Sequence, residues 1–191
     1  MITETKIIEI ENYLNTKFDE SNHRLIHIYN VKKMAISLAM IYHADINSVI
    51  AASYLHDATK HETNKENLRL AGIVLDEDVP NACLHAYAAS KLAKTKFNIT
   101  DSDILNAIKY HCSGRARMSL LEKIIYVSDF IEEGRDFVDE DLRDLAKKDL
   151  DLCVLKIMLR TKNYILKNNK KFSNLTEQAI QYYQNKGEIN G

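Results

Sequence analysis

The adjacent residues His56 and Asp57 are the part of the sequence best suited to chemistry. They directly follow the strongly apolar residues 49–55. A carboxylate at the end of such a core-facing segment needs a partner, because an unpaired buried charge is costly. Metal coordination is a common solution, and it would use the imidazole as well. The pair therefore indicates a metal site.

Further residues at apolar segments could add ligands to this pair. They are His27, His85, His111 and Asp129. The histidines that we set aside as ordinary surface or core residues are His23, His43 and His61. Imidazole and carboxylate donors without thiolate suit iron, manganese, cobalt or zinc. A single ion with open positions needs fewer ligands than this set offers. Two ions bridged by Asp57 would use the whole set, and such a pair would activate a water molecule and clamp a phosphoryl oxygen. The sequence leaves open whether one ion or two are bound.

Basic residues lie close in sequence to these ligands. They are Arg24, Lys60, Arg115, Arg117 and Arg135. An arginine can hold a phosphate through two parallel hydrogen bonds and stabilise developing charge. We expect Arg24, Lys60 and Arg135 to bind phosphate, and we interpret most other charged residues as solvated surface.

The elements that must position these residues are predicted to be helices. The chain of 191 residues contains one proline and five glycines, too few for many tight turns between strands. Apolar residues recur at helical spacing. The predicted helices cover residues 4–17, 23–42, a segment that carries His56 and Asp57 at its C-terminal end, 81–97, a segment ending at 111, 118–132, 139–167 and a last one from about 174. The sequence predicts an all-α fold in a single domain, residues 1–191, whose C-terminal helices 139–187 pack on the motif-bearing part.

Composition and charge exclude several classes of function. The formal net charge of −1 gives no basic field for nucleic acid. We find neither a signal peptide nor an apolar run of the ~18 residues that would span a bilayer. Cys83, Cys112 and Cys153 form no CxxC pair, which favours reduced thiols and a cytoplasmic protein. The amphipathic stretch 139–167 serves either its own core or a partner chain, so a homodimer stays open.

At these residues the chain resembles the HD-domain superfamily of metal-dependent phosphohydrolases. The order His, His-Asp, Asp is typical of that superfamily, and here it reads His27, His56-Asp57 and Asp129. The chain is most similar to the YqeK-type branch, bacterial hydrolases that cleave diadenosine tetraphosphate symmetrically into two ADP. The matching motifs run over about residues 24–137, and the most specific is Met-Ser-x-x-Glu-Lys, residues 118–123.

The resemblance implies an all-helical HD-domain bundle, a bound metal that is typically iron, and roles for individual residues. The first metal would be held by His27, His56, Asp57 and Asp129. His85 and His111 would hold a second metal or bind substrate phosphate. Asp57 and Lys60 would be catalytic, with either Lys60 or a metal stabilising the leaving phosphate. The residues that would contact the nucleotide are Arg24, Lys60, Ser128, Arg135, Asn174 and Thr176.

One position departs from the family's pattern. Where the family usually reads His-Thr-Thr-Gly, this chain has His111-Cys112-Ser113-Gly114. Cys112 lacks the hydroxyl of the first threonine. We interpret the change as a neutral packing substitution.

Other functions fit parts of the sequence. An HD-type nucleotidase could work with the four first-metal ligands alone, which would leave His85 and His111 without a role. A guanosine tetraphosphate hydrolase usually resides in a much longer chain, and a cyclic-dinucleotide phosphodiesterase would show a Gly-Tyr-Pro motif. A non-catalytic nucleotide-binding module would tend to lose ligands. The simplest alternative is a purely structural helical domain.

Overall fold

A computed structural model describes residues 2–19, 22–74, 79–170 and 172–189. Within these ranges every regular element is a helix, which confirms the predicted all-α class. The helices are α1 (Glu4–Lys17), α2 (His23–Tyr42), α3 (Ile46–Leu55), α4 (Asn64–Ala71), α5 (Leu84–Lys96), α6 (Ser102–Tyr110), α7 (Leu120–Ile131), α8 (Glu140–Lys148), α9 (Leu150–Lys167) and α10 (Asn174–Ile189). A short 3₁₀ turn, Asn81–Cys83, precedes α5.

Side-chain caps determine where the helices that carry the candidate site begin. The Asp45 carboxylate accepts a hydrogen bond from the Ser48 backbone N–H at the start of α3. Ser119 and Glu122 form a reciprocal capping box at the start of α7, which satisfies two backbone N–H groups that the helix leaves free. A cap of this kind stabilises the fold by roughly 1 kcal/mol.

The turn after α6 requires a glycine. Gly114 adopts φ +62°, a left-handed conformation that residues with a Cβ rarely adopt. A Cβ at this position would also come within 2.4 Å of the Met158 side chain. The Gly114 N–H donates to the Tyr110 carbonyl at 2.7 Å. The turn therefore leads the chain tightly from His111 towards α7.

The core forms where α2, α3, α6 and α7 pack against one another, with α5 on α4 and α6, and α9 on α7 and α10. Leu38, Leu55, Ile108 and Ile125 are fully buried on these facing sides. Burying one such side chain contributes roughly 2 kcal/mol. Polar residues at or near the ends of these helices face one another beside this core.

The predicted helix over 139–167 was wrong in one respect, because the structure divides it into α8 and α9. Asp149 separates them with an extended backbone, φ −145° and ψ 96°. Its carboxylate accepts a hydrogen bond from the Leu152 N–H at 2.9 Å and so caps α9. The break changes the direction of the chain after Lys148.

In the part of the chain that the structure describes, no helix is both long enough and apolar enough to cross a bilayer.

Candidate metal centre

The six predicted ligands come together in one cluster. His27 lies in the first turns of α2, and His56 and Asp57 directly follow α3. His85 is the second residue of α5, His111 follows α6, and Asp129 lies near the end of α7. Asp129 is half-buried, and the other five are buried. Helices far apart in sequence thus deliver their imidazoles and carboxylates to the same point.

Asp57 lies at the centre of the cluster, with its two carboxylate oxygens facing different histidines. Oδ2 is 3.7 Å from Nε2 of both His27 and His56. Oδ1 is 3.0 Å from Nε2 of His85 and 3.5 Å from that of His111. A carboxylate in this position can bridge two cations.

The cluster therefore has two halves that share Asp57. The Asp129 half contains His27, His56 and Asp129, with Asp129 Oδ1 lying 3.0 Å from His27 Nε2 and 3.9 Å from His56 Nε2. The Cys112 half contains His85, His111 and Cys112, with the two Nε2 atoms 3.2 Å apart. Each half brings together at least three groups that could hold a metal ion.

Hydrogen bonds on the far side of the rings set the tautomers of three histidines. Nδ1 of His56 lies 2.6 Å from the Ser53 carbonyl, and Nδ1 of His111 lies 2.7 Å from the Ile108 carbonyl. A carbonyl only accepts, so each Nδ1 carries a proton. Each Nε2 faces the cluster and offers its lone pair there when the ring is neutral. His27 receives the same support from a carboxylate, as described next.

Glu132 is a functional candidate that the sequence reasoning missed. Its Oε1 lies 3.1 Å from His27 Nδ1, and its Oε2 accepts from the Gly134 N–H at 2.5 Å. A carboxylate behind a ligating histidine fixes the ring and makes it a better ligand. Glu132 directly follows α7, three residues after Asp129, and this position in the sequence did not mark it out.

His85 is held differently from the other histidines. Its backbone carbonyl accepts a hydrogen bond from the Thr59 hydroxyl at 2.9 Å, which ties α5 to the segment after Asp57. Its ring lies against Lys60, whose Nζ is 3.2 Å from Nδ1 and 3.3 Å from Nε2. The tautomer of His85 is thus not fixed by a backbone carbonyl.

The charges of the Asp129 half call for a cation. Burial opposes protonation of His27, but Asp129 and Asp57 outweigh it and raise its pKa. Burial lowers the pKa of His56 to about 4, so this ring is neutral at neutral pH. Burial also opposes ionisation of Asp57 and Asp129, yet the surrounding imidazoles hold the pKa of both carboxyls well below their usual range. Two ionised carboxylates beside the neutral His56 imidazole attract a cation, and a divalent metal that binds His27 would displace a proton from its ring.

The three basic residues that we favoured all reach the cluster. Arg24 forms an ion pair with Asp57. Arg135 lies 3.3 Å from Asp129 Oδ1, and Lys60 contacts His85. Arg24 and Arg135 are about one-third exposed, with side-chain exposures of 32% and 34%. They can therefore exchange these carboxylates for a phosphate that arrives from solvent.

Two cavities adjoin the cluster and share Lys60 and Arg135. One has a volume of about 400 Å³ and is lined by Arg24, His27 and Glu132 among others. His23 and His61, which we had set aside, also line it. The other has a volume of about 780 Å³ and runs past His111, Cys112 and Asp129 to the aromatic side chains Phe130, Phe137 and Tyr164. Composition alone did not point to these aromatic residues.

Comparison with known proteins agrees with this geometry. Residues 24–134 match the family model of the HD domain. The chain belongs to the HD-domain family. The matched segment of the HD domain contains all six predicted ligands. HD domains bind divalent metals, and both halves of the cluster have donors to do so.

This HD domain has relatives of known name along most of its length. It is 36% identical over 159 residues to the protein of Bacillus subtilis (strain 168) named "Bis(5'-nucleosyl)-tetraphosphatase, symmetrical", a match that covers 78% of this chain and 83% of the relative. A protein of the same name from Staphylococcus aureus (strain NCTC 8325 / PS 47) is 31% identical over 170 residues, covering 84% of this chain and 86% of the relative.

A solved structure shares the fold of this HD domain. It is the crystal structure of a predicted HD superfamily hydrolase involved in NAD metabolism from Clostridium acetobutylicum. The two align with a TM-score of 0.88 at 31% identity, over 97% of this chain and 100% of that one. The alignment confirms the predicted HD-domain bundle.

Three more residues were predicted to contact the nucleotide: Ser128, Asn174 and Thr176. Ser128 is fully buried, and its hydroxyl has no hydrogen-bond partner among the described residues. Thr176 is 4% exposed and donates its hydroxyl to the Ser113 carbonyl at 2.7 Å. Asn174 is exposed at the start of α10. The two cavities are lined by none of these three.

Arg115, one of the weaker phosphate candidates, has a structural partner. Its guanidinium donates to both carboxylate oxygens of the buried Glu122, at 2.6 and 2.8 Å. Arg117 is exposed. The structure thus separates these two arginines from the three that reach the cluster of the HD domain.

Cys112 occupies a place that a neutral packing substitution does not account for. Its Sγ lies 3.4 Å from Nε2 of His85 and 3.4 Å from Nε2 of His111. Burial opposes protonation of these imidazoles, but the adjacent sulfur and the Asp57 carboxylate raise the pKa of both. The thiol therefore belongs to the cluster.

Proposed function

We propose that the chain is a metal-dependent hydrolase that cleaves diadenosine tetraphosphate symmetrically into two ADP. The observation that carries this proposal is the position of Asp57 between two histidine pairs, with Arg24, Lys60 and Arg135 beside it. Relatives named for that activity, over about four-fifths of the chain, support it.

The proposed metal ligands follow from the two halves of the cluster. His27, His56, Asp57 and Asp129 would hold the first ion, and Asp57, His85 and His111 would hold the second. When bound, the ions would polarise a phosphoryl oxygen and make a water molecule more acidic. We propose iron as the metal. Manganese, cobalt and zinc suit the same nitrogen and oxygen donors.

The basic residues would bind and orient the phosphates. In the reaction, the oxygen of water bonds to one inner phosphorus, the central P–O–P bridge breaks, and each half leaves as ADP. Arg24 and Arg135 would release their carboxylates and bind non-bridging oxygens through charge-assisted hydrogen bonds. Lys60 would donate a hydrogen bond to the departing phosphate oxygen. Asp57 and Lys60 are thus the proposed catalytic side chains.

The two cavities suit a substrate with two nucleosides. Because they share Lys60 and Arg135, a polyphosphate lying across these residues would point its ends into different cavities. Phe137 and Tyr164 are 65% and 62% exposed and line the larger cavity. An exposed aromatic ring is suited to stack on a nucleobase. Ser128, Asn174 and Thr176 would support the nucleotide site indirectly.

Several broader expectations belong to this proposal. Residues 1–191 would act as one domain, since α9 packs onto α7, the helix that carries Asp129, and α10 packs onto α9. The protein would work in the cytoplasm, where its thiols stay reduced. It would bind no nucleic acid, and a homodimer is compatible with the exposed parts of α9.

A substrate panel tests the proposal. The purified protein is loaded with iron(II) or manganese(II) and given diadenosine tetraphosphate, ADP, ATP and a cyclic dinucleotide, and the products are resolved by chromatography. We expect two ADP from diadenosine tetraphosphate. ATP plus AMP would reject symmetrical cleavage. Preferred cleavage of a mononucleotide would favour the nucleotidase alternative, and binding without turnover would favour the non-catalytic module.

A further inference from the structure

Cys112 is the one soft donor in the cluster. Its sulfur is equidistant, at 3.4 Å, from the two imidazole nitrogens of the Cys112 half. Those nitrogens belong to His85 and His111 and are 3.2 Å apart. The three atoms thus form a nearly equilateral triangle, which is the face that three ligands of one ion would present.

The distances match those of a tetrahedral metal site. Two ligands at the usual metal–nitrogen and metal–sulfur lengths, held at the tetrahedral angle, lie roughly 3.3–3.6 Å apart. Asp57 Oδ1 adds a fourth corner, 3.0 Å from His85 Nε2 and 3.5 Å from His111 Nε2. The five measured edges of this tetrahedron lie between 3.0 and 3.5 Å.

The backbone around Cys112 is anchored on both sides. Before it, His111 ends α6 with its Nδ1 against a backbone carbonyl. After it, the Ser113 carbonyl accepts the Thr176 hydroxyl at 2.7 Å, and Gly114 closes the turn. The thiol is therefore held at the cluster by the chain on either side and would lose little conformational freedom on binding an ion.

We propose that the Cys112 thiolate is a ligand of the second metal ion, together with His85, His111 and Asp57. Binding forms a metal–sulfur bond and releases the thiol proton to solvent. A thiolate favours zinc, iron(II) or cobalt over manganese and magnesium. This inference rests on the proposed two-metal site, but it replaces a nitrogen and oxygen donor set with one that includes sulfur.

X-ray absorption at the zinc edge tests the inference directly. The full chain is loaded with zinc under a reductant that contains no thiol. We expect a sulfur scatterer at about 2.3 Å, the length of a zinc–thiolate bond, with about one sulfur for every two zinc ions. Cys112→Ser should remove the sulfur contribution and keep the zinc of the Asp129 half. That retained zinc also shows that the variant folds.

Cys83→Ser is the matched control. Cys83 is 7% exposed, and its thiol and that of Cys112 are close enough to shift each other's pKa, so it is the sulfur that could compete for the ion. We expect this variant to keep the zinc–sulfur contribution. Loss of the contribution in Cys83→Ser, with retention in Cys112→Ser, would overturn the assignment.

Competition between metals gives a second measurement. In the wild type, zinc should displace manganese from the second site, and Cys112→Ser should reduce this preference by about tenfold or more. Stoichiometric zinc with only nitrogen and oxygen neighbours would overturn the inference and leave the proposed function intact. Absence of bound zinc or manganese would overturn both.

Discussion

The two halves of the cluster share Asp57 but are built differently. In the Asp129 half, a second carboxylate faces the ion position, and both imidazoles are oriented from behind, His56 by a backbone carbonyl and His27 by Glu132. In the Cys112 half, His111 is oriented in this way, but His85 lies against the Lys60 ammonium.

This difference indicates that the two halves bind their metal ions with different affinities. Ligands that are already oriented lose little freedom on binding, and each carboxylate adds favourable charge. For manganese, which binds a thiolate weakly, we therefore expect the Asp129 half to bind its ion first and more tightly. The Cys112 half, next to Lys60 and the larger cavity, would bind an ion that exchanges more readily.

Substitution of the shared carboxylate should have the largest effect. Asp57→Asn removes the bridging charge from both halves at once, so activity should fall by roughly 10³-fold or more, with loss of metal from both sites. Metal analysis and turnover of diadenosine tetraphosphate measure this. Asp144→Asn, on an exposed side chain, is the control and should behave as wild type. A metal-replete, active Asp57→Asn protein would refute the shared role.

Removing one histidine from each half should affect metal binding and turnover differently. His56→Ala should weaken binding of the first ion and abolish turnover. His85→Ala should leave the first ion in place, with activity reduced by about 10²-fold from loss of the second ion. Titration calorimetry with manganese counts the sites and their affinities in each variant. Equal loss in both variants would show that the halves bind as one unit.

Glu132→Gln should reveal how much the carboxylate behind His27 contributes to the affinity for the first ion. The amide keeps the size of the side chain but removes its charge, so affinity for the first ion should fall 10- to 100-fold. Binding at the second site should change little. Glu133→Gln is the matched control, since the Glu133 side chain is 58% exposed and pairs with Lys33. A similar loss of metal affinity in both variants would show that the overall negative charge matters and that the contact with His27 does not.

Thr176→Val should affect only the Cys112 half. The change removes the hydrogen bond to the Ser113 carbonyl, and a buried acceptor without a partner costs about 1–3 kcal/mol. We expect a modest loss of stability and a few-fold lower affinity for the second ion. Thermal unfolding and the same calorimetric titration measure both effects. An equal loss of affinity for the first ion would mean that α10 supports the whole cluster.

Asp151→Asn should give the smallest effect, and that effect should depend on pH. Burial raises the pKa of Asp151, but Lys123 at 2.8 Å and Lys186 at 2.5 Å outweigh it and lower the pKa below its ordinary value. The carboxylate therefore stabilises the fold above the unfolded pKa of about 3.9, and this contribution is lost as pH falls through the folded pKa.

For a partly exposed network of this kind we expect a loss of about 0.5–1 kcal/mol at pH 7. The difference in the free energy of unfolding between this variant and the wild type should shrink below about pH 4. Urea unfolding at several pH values measures it. A difference that stays constant at low pH would show that the ion pairs are not its source.

The sequence allowed the clustered candidate ligands to be selected because each is a polar residue in an apolar helical context. His85 and Asp129 stand out in that way. Glu132 does not, since Glu132-Glu133-Gly134 resembles a charged surface turn. Its role depends on α2 bringing His27 within 3.1 Å, a contact across 105 residues. No local pattern contains that information.

The break between α8 and α9 was missed for a related reason. Leu142, Ala146, Leu150 and Cys153 are all buried and keep helical spacing across Asp149. The apolar pattern is therefore the same for one long helix and for two. The cap at Asp149 decides between them, and a lone Asp in a charged segment gives a weak signal.

The most direct test of the shared-carboxylate site is anomalous diffraction from crystals loaded with manganese or zinc. We predict two anomalous peaks. The first should lie within coordination distance of Asp57 Oδ2, His27, His56 and Asp129. The second should lie within coordination distance of Asp57 Oδ1, His85 and His111. Lowering the manganese concentration should empty the second peak first. A single peak at full loading, or two peaks that do not share Asp57, would contradict it.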